Sequence, residues 1–417
     1  MIDPCSEDAT SVLSLEEAQA RIKAALLPVA GTEIVALKSA LGRVLAQPVY
    51  SPVNIPHDRN AAMDGYALAA RDIVPDQAFS LNLAGTSWAG RPFQGKMQPG
   101  QCIRIFTGAI LPERADTVIM QEHVQADGQT VHFPAHVRPY RHVREIGEDM
   151  QQGACLISPP KKLTAADLGL LASAGIHEIT VRRRLNIVFF STGDELAAIG
   201  QTLKPGKIYD SNRYILNGLL SGPGYGITDK GVIADDRDKL ENSLIEAAEN
   251  HDVIITTGGA SVGEADFIKD ILTSRGQVNF WKIAMKPGKP LIFGTIGHCY
   301  VFGLPGNPVS VIATFDQLVK PALQQLTGEP VAKPLRLTAI CTSPLKKTPG
   351  RQEFQRGILT QNDNGELFVS SSGKQGSHLL GSISRANCYI VLPADCTGVE
   401  AGAPVVVEPF SLLLQDR

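Results

Sequence analysis

The chain has 417 residues, 43% of them apolar and 19% charged, with mean hydropathy at zero and a formal charge of −3. This is the composition of a globular protein too long for one core, so two to four domains are expected. It excludes a broad nucleic-acid footprint, which needs a basic surface, and no apolar run reaches the length of a membrane span.

The seven cysteines are odd in number and none pairs as C-x-x-C, so reduced thiols are expected rather than disulfides or zinc. The first residues, Met1 to Asp8, are acidic where a signal peptide would be basic. The expected location is cytoplasmic.

Ser14, with Glu17 three residues on, starts a helix whose apolar positions are Leu15, Ala18, Ile22, Ala25 and Leu26. Pro28 ends it. Val35 to Leu45 reads as a second short helical segment closed by Pro48. Short strands and turns then fill the stretch from Tyr50 to Asp149. Within it, Ala62-Met63-Asp64-Gly65 reads as a turn that presents one carboxylate, Asp64. Ile103 to Phe106 alternates as a strand and ends at Thr107-Gly108; Asp116 to Glu122 follows, and Gly147-Glu148-Asp149 closes the stretch. Leu163 to Ala174 is a helix capped by Thr164 with Asp167 three residues later and stopped by Gly175.

From Arg184 strands and helices alternate. Strands are expected at Leu185–Phe190, Gly231–Ala234, Val253–Thr257, Leu291–Gly294 and Tyr300–Phe302. Helices are expected at Arg213–Leu220, Lys239–Asn250 and Val309–Leu326. This order argues for a doubly wound α/β unit with a parallel sheet covered on both faces. Ligands of such sheets bind beyond the carboxyl ends of the strands, where Ser191–Glu195, Asp235-Asp236 and Thr257–Asp266 all fall. After Pro330 the pattern is all-β and fits a small barrel or sandwich.

The densest chemical signal runs from Asp252 to Pro308. Two glycine turns, Gly258-Gly259-Ala260-Ser261 and Gly303-Leu304-Pro305-Gly306-Asn307-Pro308, flank a segment carrying Lys282, Lys286 and Lys289. Successive free N–H groups in glycine turns favour an anion, and the lysines add point charges. Either turn alone reads equally well as an ordinary strand-to-helix connection; together they favour a phosphate or oxyanion site. Glu195, Asp235 and Asp266 beside these lysines suit Mg²⁺, which bridges protein carboxylates and substrate phosphates. Asp235 and Asp236 read equally well as helix caps. The combination suggests phosphoryl or nucleotidyl chemistry, or cleavage of a phosphoanhydride. No P-loop and no nucleophile elbow are present.

At this point several separate stretches resemble one family. Ala62-Met63-Asp64-Gly65-Tyr66-Ala67, Gly147-Glu148-Asp149, Ser191-Thr192-Gly193-Asp194-Glu195-Leu196 and Thr257-Gly258-Gly259 through Asp266 carry the resemblance. So do Lys286-Pro287-Gly288-Lys289-Pro290, Leu304-Pro305-Gly306-Asn307-Pro308 and Phe354-Gln355-Arg356-Gly357. They look like the MoeA family of molybdopterin molybdenumtransferases, related to the E domains of gephyrin and its plant counterpart. The resemblance covers the chain from about Ser14 onward.

It implies a homodimer of four-domain subunits: residues 1–50 plus 150–182 as a helical linking domain and 51–149 as a strand-rich domain. Residues 183–329 would be a MogA-like α/β domain that binds molybdopterin, and 330–417 a C-terminal β-barrel-like domain. It implies that molybdate and adenylylated molybdopterin are the substrates, with Mg²⁺ required and AMP and molybdenum cofactor released. A MogA-type adenylyltransferase would be a partner.

Carried over by position, Asp266, Glu195, Asp64 and Asp235 would be catalytic, with Asp266 and Glu195 as Mg²⁺ ligands. Thr107, Asp149, Gly258, Gly259, Ser261, Lys282, Lys286, Lys289, Pro305, Pro308, Arg356 and Ser377 would bind substrate. Lys282 and Lys286 would hold phosphate or molybdate, Arg356 would add a planar clamp, and Asp64 would reach the partner subunit. One departure stands out: Gly218 to Gly226 is far richer in glycine than the longer amphipathic helix usual there. An adenylyltransferase, a scaffold like gephyrin, and a binding module without turnover are the rival readings. Incubation with molybdopterin and ATP separates the first, which would make the adenylate unaided; the acids present in the site argue against the second; molybdate-dependent AMP release excludes the third.

Overall fold

The computed structural model describes residues 12–258 and 267–410. At its centre is a seven-stranded sheet. From one edge to the other its strands are Val12–Leu13, Gln277–Ile283, Pro290–Ile296, Cys299–Leu304, Val253–Thr257, Leu185–Thr192 and Tyr225–Ile233. The last four run parallel. Pro290–Ile296 is antiparallel to both of its neighbours, so the sheet is mixed rather than wholly parallel. The reason is local: only Gly297 and His298 join Pro290–Ile296 to the next strand. Two residues make a hairpin but not a crossover.

The two-residue period sorts the core. Ile187 and Phe189 enter one apolar cluster, while Val188 and Phe190 enter the other. Val253 and Ile255 repeat this against Ile254. Both faces are therefore buried, as continuous apolar runs require. The helices Arg237–Asn250 and Phe267–Arg275 cover one face through Leu240, Leu244, Ile268, Ile271 and Leu272. Asn212–Leu220 and the helical run from Pro308 to Leu326 cover the other. That run is one rod with a wider turn at Phe315–Val319. The Gly218 stretch does not shorten its helix, which reaches Leu220 before the strand begins at Tyr225.

The first helix, Leu15–Ala25, has the reciprocal Ser14–Glu17 cap. Its apolar stripe of Leu15, Ala18 and Ile22 joins the core of the α/β unit rather than that of the linking module. Val12–Leu13 likewise extends the central sheet. The 35–45 segment is not helical as expected. It forms a strand, Thr32–Ala36, one 3₁₀ turn, Leu37–Ser39, and a short strand, Val44–Leu45. β-Branched Thr32, Ile34 and Val35 suit an edge strand, and this one pairs with Glu178–Arg182. The Ala165–Ser173 helix carries the expected Thr164–Asp167 cap and packs over this small sheet.

The strand-rich module is a six-stranded sheet, Gln125–Asp127, Thr130–Phe133, Phe79–Ser87, Gln101–Ile105, Gly65–Leu68 and Thr117–Met120. Tyr66 and Leu68 face one cluster, Ala67 and Ala69 the other. In the C-terminal module the strand Gln352–Gln361 pairs with both Leu367–Ser371 and Cys388–Leu392. With Leu337–Cys341 and Pro404–Pro409 this closes a barrel of five strands. The barrel is joined to the α/β unit: Met285-Lys286 pairs with Gln352-Glu353, and Phe354 and Tyr389 enter the α/β core. Among the described residues no helix is long and apolar enough to cross a membrane.

Candidate functional site

Two parallel strands end side by side. Ser191 and Thr257 are register partners, and their hydroxyls lie 2.9 Å apart. Each chain then turns through a glycine. At Gly258, with φ at +85°, a Cβ would lie 2.3 Å from the Thr192 carbonyl oxygen. The two turns pass each other only because no side chain stands there.

The second glycine turn meets the first. A Cβ at Gly306 would lie 3.9 Å from the Gly258 Cα. Asn212 Nδ2 donates to the Gly306 carbonyl at 2.8 Å, tying the Asn212–Leu220 helix to this turn. Pro305 is buried beside it, and Pro308 opens the next helix, a position where its missing N–H costs nothing. Thr192 Oγ1, Asp210 Oδ2 and Asn212 Oδ1 are buried without a partner among the described residues. Such acceptors call for a donor or a cation. Gly259, Ser261 and Asp266 lie outside the described residues.

Acidic groups gather at the next strand end. The Asp235 N–H donates to Asp194 Oδ1 at 3.3 Å. Burial pushes the Asp235 carboxyl up, and the charges of Asp194 and Glu195 add to this over the lowering effect of a hydrogen bond from the Asp194 backbone. Glu195 is exposed, and its carboxylate folds back toward Gly193, where a Cβ would lie 2.5 Å from Oε2. Asp236 is the helix cap, accepting from the Lys239 N–H. Asp235 is not the cap. Among the described residues no three His, Cys, Asp or Glu side chains converge on a metal-sized cage.

The lysines differ in their surroundings. Lys282 pairs in the sheet with Val12 and Pro290 and is half-buried, whereas Lys289 is exposed. Lys286 Nζ donates to Glu353 Oε1 at 2.9 Å, and Glu353 is 4% exposed. Lys286 is thus anchored by the barrel module.

Arg356 is 1% exposed. Its guanidinium donates to the Gly376 carbonyl at 3.1 Å, to the Lys374 carbonyl at 3.4 Å and to Ser382 Oγ at 3.1 Å. It holds the 374–377 loop from within. The Ser377 carbonyl in turn accepts from the Val309 N–H, so this loop rests on the turn that contains Pro308.

Asp64 and Thr107 form a tight pair in the strand-rich module. The Thr107 N–H and hydroxyl donate to Asp64 Oδ1 at 2.8 and 2.7 Å. These two bonds hold the Asp64 carboxyl below the usual carboxylate range, with a smaller contribution from Arg104. Asp149 is exposed, and its N–H donates to the Ile55 carbonyl. The described hydrogen bonds of this trio stay within their own module.

Asn212, Asp210, Asp194 and Glu353 were not singled out by the sequence. Asp210-Ser211-Asn212 before a helix reads as a cap, and Asp194 is overshadowed by its neighbour Glu195. Only the contact of Asn212 with the second glycine turn reveals its part.

The meeting of two glycine turns at parallel strand ends beside carboxylates defines an α/β binding unit, and residues 188–325 match the family model described as a probable molybdopterin binding domain. Residues 13–175 match the MoeA N-terminal region (domain I and II), and residues 338–410 match the MoeA C-terminal region (domain IV). The chain is 43% identical over 406 residues to a molybdopterin molybdenumtransferase of Haemophilus influenzae, covering 97% of this chain and 100% of that relative. It is 36% identical over 388 residues to one of Nostoc sp., covering 90% and 88%. A solved MoeA protein of Pyrococcus horikoshii OT3 superposes with a TM-score of 0.81 at 28% identity, covering 96% of this chain and 100% of that one. The chain belongs to the MoeA family of molybdopterin molybdenumtransferases, enzymes of molybdenum cofactor biosynthesis.

Proposed function

We propose that this chain inserts molybdenum from molybdate into adenylylated molybdopterin, with hydrolysis of the adenylate and release of AMP and molybdenum cofactor. The observation that carries the reading is the contact between the Gly258 and Gly306 turns, fixed by Asn212. Backbone N–H groups of such turns suit phosphate oxygens, and Lys282, Lys286 and Lys289 supply the positive charge. Thr192, Asp210 and Asn212 offer acceptors that suit the hydroxyl or amino donors of a nucleotide.

Mg²⁺ would be held by Glu195 and Asp235, with Asp194 beside them and Asp266 as the further carboxylate. The fit rests on the donor set, hard carboxylate oxygens at neighbouring strand ends where the Asp235 N–H meets Asp194 Oδ1; these described acids form no cage by themselves, and Asp266 and phosphate oxygens would complete it. Bound there, Mg²⁺ would neutralise charge on phosphate oxygens. Lys286, steadied by Glu353, would orient the oxyanion. Gly259, Ser261 and Pro305 would shape its cradle, and Arg356 and Ser377 would act by holding the turn around Pro308. The working unit would be a homodimer in which Asp64, Thr107 and Asp149 serve the partner's α/β unit, and a MogA-type adenylyltransferase would supply the substrate.

The test is to mix the protein with adenylylated molybdopterin, molybdate and Mg²⁺, and to measure AMP and active cofactor. AMP release that requires molybdate and stops on chelation of Mg²⁺ is the expected result. Release unaffected by omitting molybdate, or none at all, would overturn the proposal.

A further inference from the structure

We propose that the strand-rich module carries a binding site for a small phosphate monoester: the Arg138 and Arg141 guanidiniums take the phosphate, and an apolar floor takes its compact organic body. The inference goes beyond the molybdopterin reading and uses none of the residues placed in that site.

The site is a cavity of about 280 Å³ between the end of the Thr117–Met120 strand and the 134–142 loop. The stretch that builds it is one-sided in charge. From Gly128 to Arg144 there are three arginines and three histidines and no acid, in a chain whose formal charge is −3. Arg138, Arg141, His136 and His142 line the cavity, and His123 joins them from the turn after the strand. The acids nearby are already engaged. Asp76 Oδ1 meets His136 Nδ1 at 2.8 Å, and Glu122 accepts from Gln121 and faces His123. The Arg138 and Arg141 side chains have no hydrogen bond or ion pair among the described residues. Two guanidiniums on one cavity without a carboxylate suit a phosphate, which each can grip through paired N–H groups.

The loop is held in place. The Arg141 carbonyl accepts from the Val118 N–H at 3.0 Å, and the His142 carbonyl accepts from the Ala62 N–H at 2.9 Å. The Tyr140 N–H donates to Thr117 Oγ1 at 2.9 Å. His136, Tyr140 and His142 take φ of +62°, +57° and +59°, a region unfavourable to residues with a Cβ. The tethers offset that cost and fix the cations around the cavity. The floor is apolar: Ile119 is 7% exposed, and Met120, Ala135 and Val137 complete it. A bare oxyanion would leave this floor in water, whereas a monoester with an apolar body covers it. The volume falls just short of the roughly 300–1,000 Å³ of drug-sized pockets, so that body is compact. The Asp64 turn is a separate place, since the charges that act on Asp64 are those of Arg104 and Glu122.

The chain has six methionines, and Met120 lines the cavity, so its methyl group reports on the site in the whole protein. Protein with isotope-labelled methionine methyls is titrated by NMR with phenyl phosphate, ribose 5-phosphate and inorganic phosphate, and Met120→Leu identifies the signal. Phenyl phosphate should shift the Met120 signal saturably and bind most tightly, and inorganic phosphate most weakly. Arg138→Gln and Arg141→Gln should each weaken phenyl phosphate by roughly 10- to 150-fold, the span of a hydrogen bond to a charged group. Both arginines are exposed, so neither change should move the melting temperature appreciably. Met285 is buried beside Lys286 and reads any phosphate held by the glycine turns, so its response should be the same in both variants. No saturable shift at Met120, or unchanged affinity in the arginine variants, would overturn the site. So would inorganic phosphate binding as tightly as phenyl phosphate, or a Met285 response lost together with that of Met120.

Discussion

Replacing Gly258 by alanine tests whether the contact between strand ends is what builds the site. Gly258 sits at φ +85°, a backbone region that costs an L-residue about 1–2 kcal/mol. The new Cβ would lie 2.3 Å from the Thr192 carbonyl oxygen and 2.9 Å from Thr192 Oγ1. Thr192 cannot swing away cheaply, because it is 3% exposed and pairs with Ile233 in the sheet. Overpacking of this kind costs about 1–3 kcal/mol. Together the two effects predict about 2–5 kcal/mol of destabilisation, or roughly 4–20 °C in the melting midpoint of a unit this size. AMP release should fall further than stability does, since the turn itself is displaced. Gly218→Ala is the control. It lies within the Asn212–Leu220 helix, and its Cβ would meet nothing within 4 Å. That change should stabilise by up to about 1 kcal/mol and leave AMP release intact. A Gly258→Ala protein that melts with the wild type and turns over normally would refute the reasoning.

Four further substitutions probe charged groups of the α/β unit and of the barrel beside it. Asp252 is 9% exposed and meets Arg183 through two bonds of 2.7 and 2.8 Å, with the Asn186 N–H as a third donor. Burial pushes its pKa up, but the Arg183 and Asn186 hydrogen bonds and the Arg183 charge outweigh burial and bring it below the usual range. Its contribution is present above the unfolded value of about 3.9 and is lost as pH falls through the lower folded value. Asp252→Asn should cost about 1–3 kcal/mol in urea melts at pH 7, discounted for the one-third exposure of Arg183, and the gap to wild type should close on acidification. At Asp235 the sign reverses, because burial and the Asp194 and Glu195 charges raise its pKa. Its ionised form is disfavoured above the folded pKa, so Asp235→Asn should raise the melting temperature slightly at pH 7 while AMP release is lost; a drop in melting temperature would count against that account. Lys286→Met should strand the buried Glu353 with Gln355 as its remaining side-chain partner, at about 1–3 kcal/mol after discounting for the exposed lysine. Adding Glu353→Gln should restore most of that stability without restoring turnover, which a double-mutant cycle with an AMP assay would measure.

Local rules read much of the fold correctly where one signal decided the outcome. Val253–Thr257 was legible because a continuous apolar run beside glycine has few uses other than an inner strand. The Ser14–Glu17 and Thr164–Asp167 caps were legible because each is written within four residues. The Val35–Leu45 stretch was not, since its apolar residues fit either period until Glu178–Arg182 is known to lie beside it. The first helix posed a different difficulty. Its stripe of Leu15, Ala18 and Ile22 says that a partner is needed, but periodicity does not say which core provides it.

The site shows the same division between what a residue is and where it stands. The rule that ligands meet α/β sheets at strand ends was enough to bring Glu195, Asp235 and Gly258 together, since it depends only on strand order. Arg356 shows a different division. A guanidinium in a motif suggests direct contact with an anion, because charge is visible in a sequence and burial is not. In the folded chain its Nε donates to Ser382 and its Nη2 to the 374 and 376 carbonyls, and the loop it holds reaches the glycine turn through Ser377 and Val309. Lys286 is constrained in the same way by Glu353. The barrel thus supplies the α/β unit with position more than with charge. Beyond the shared core at Phe354 and Tyr389, the barrel therefore also meets the α/β unit at Met285-Lys286 and Pro308, which border the glycine turns.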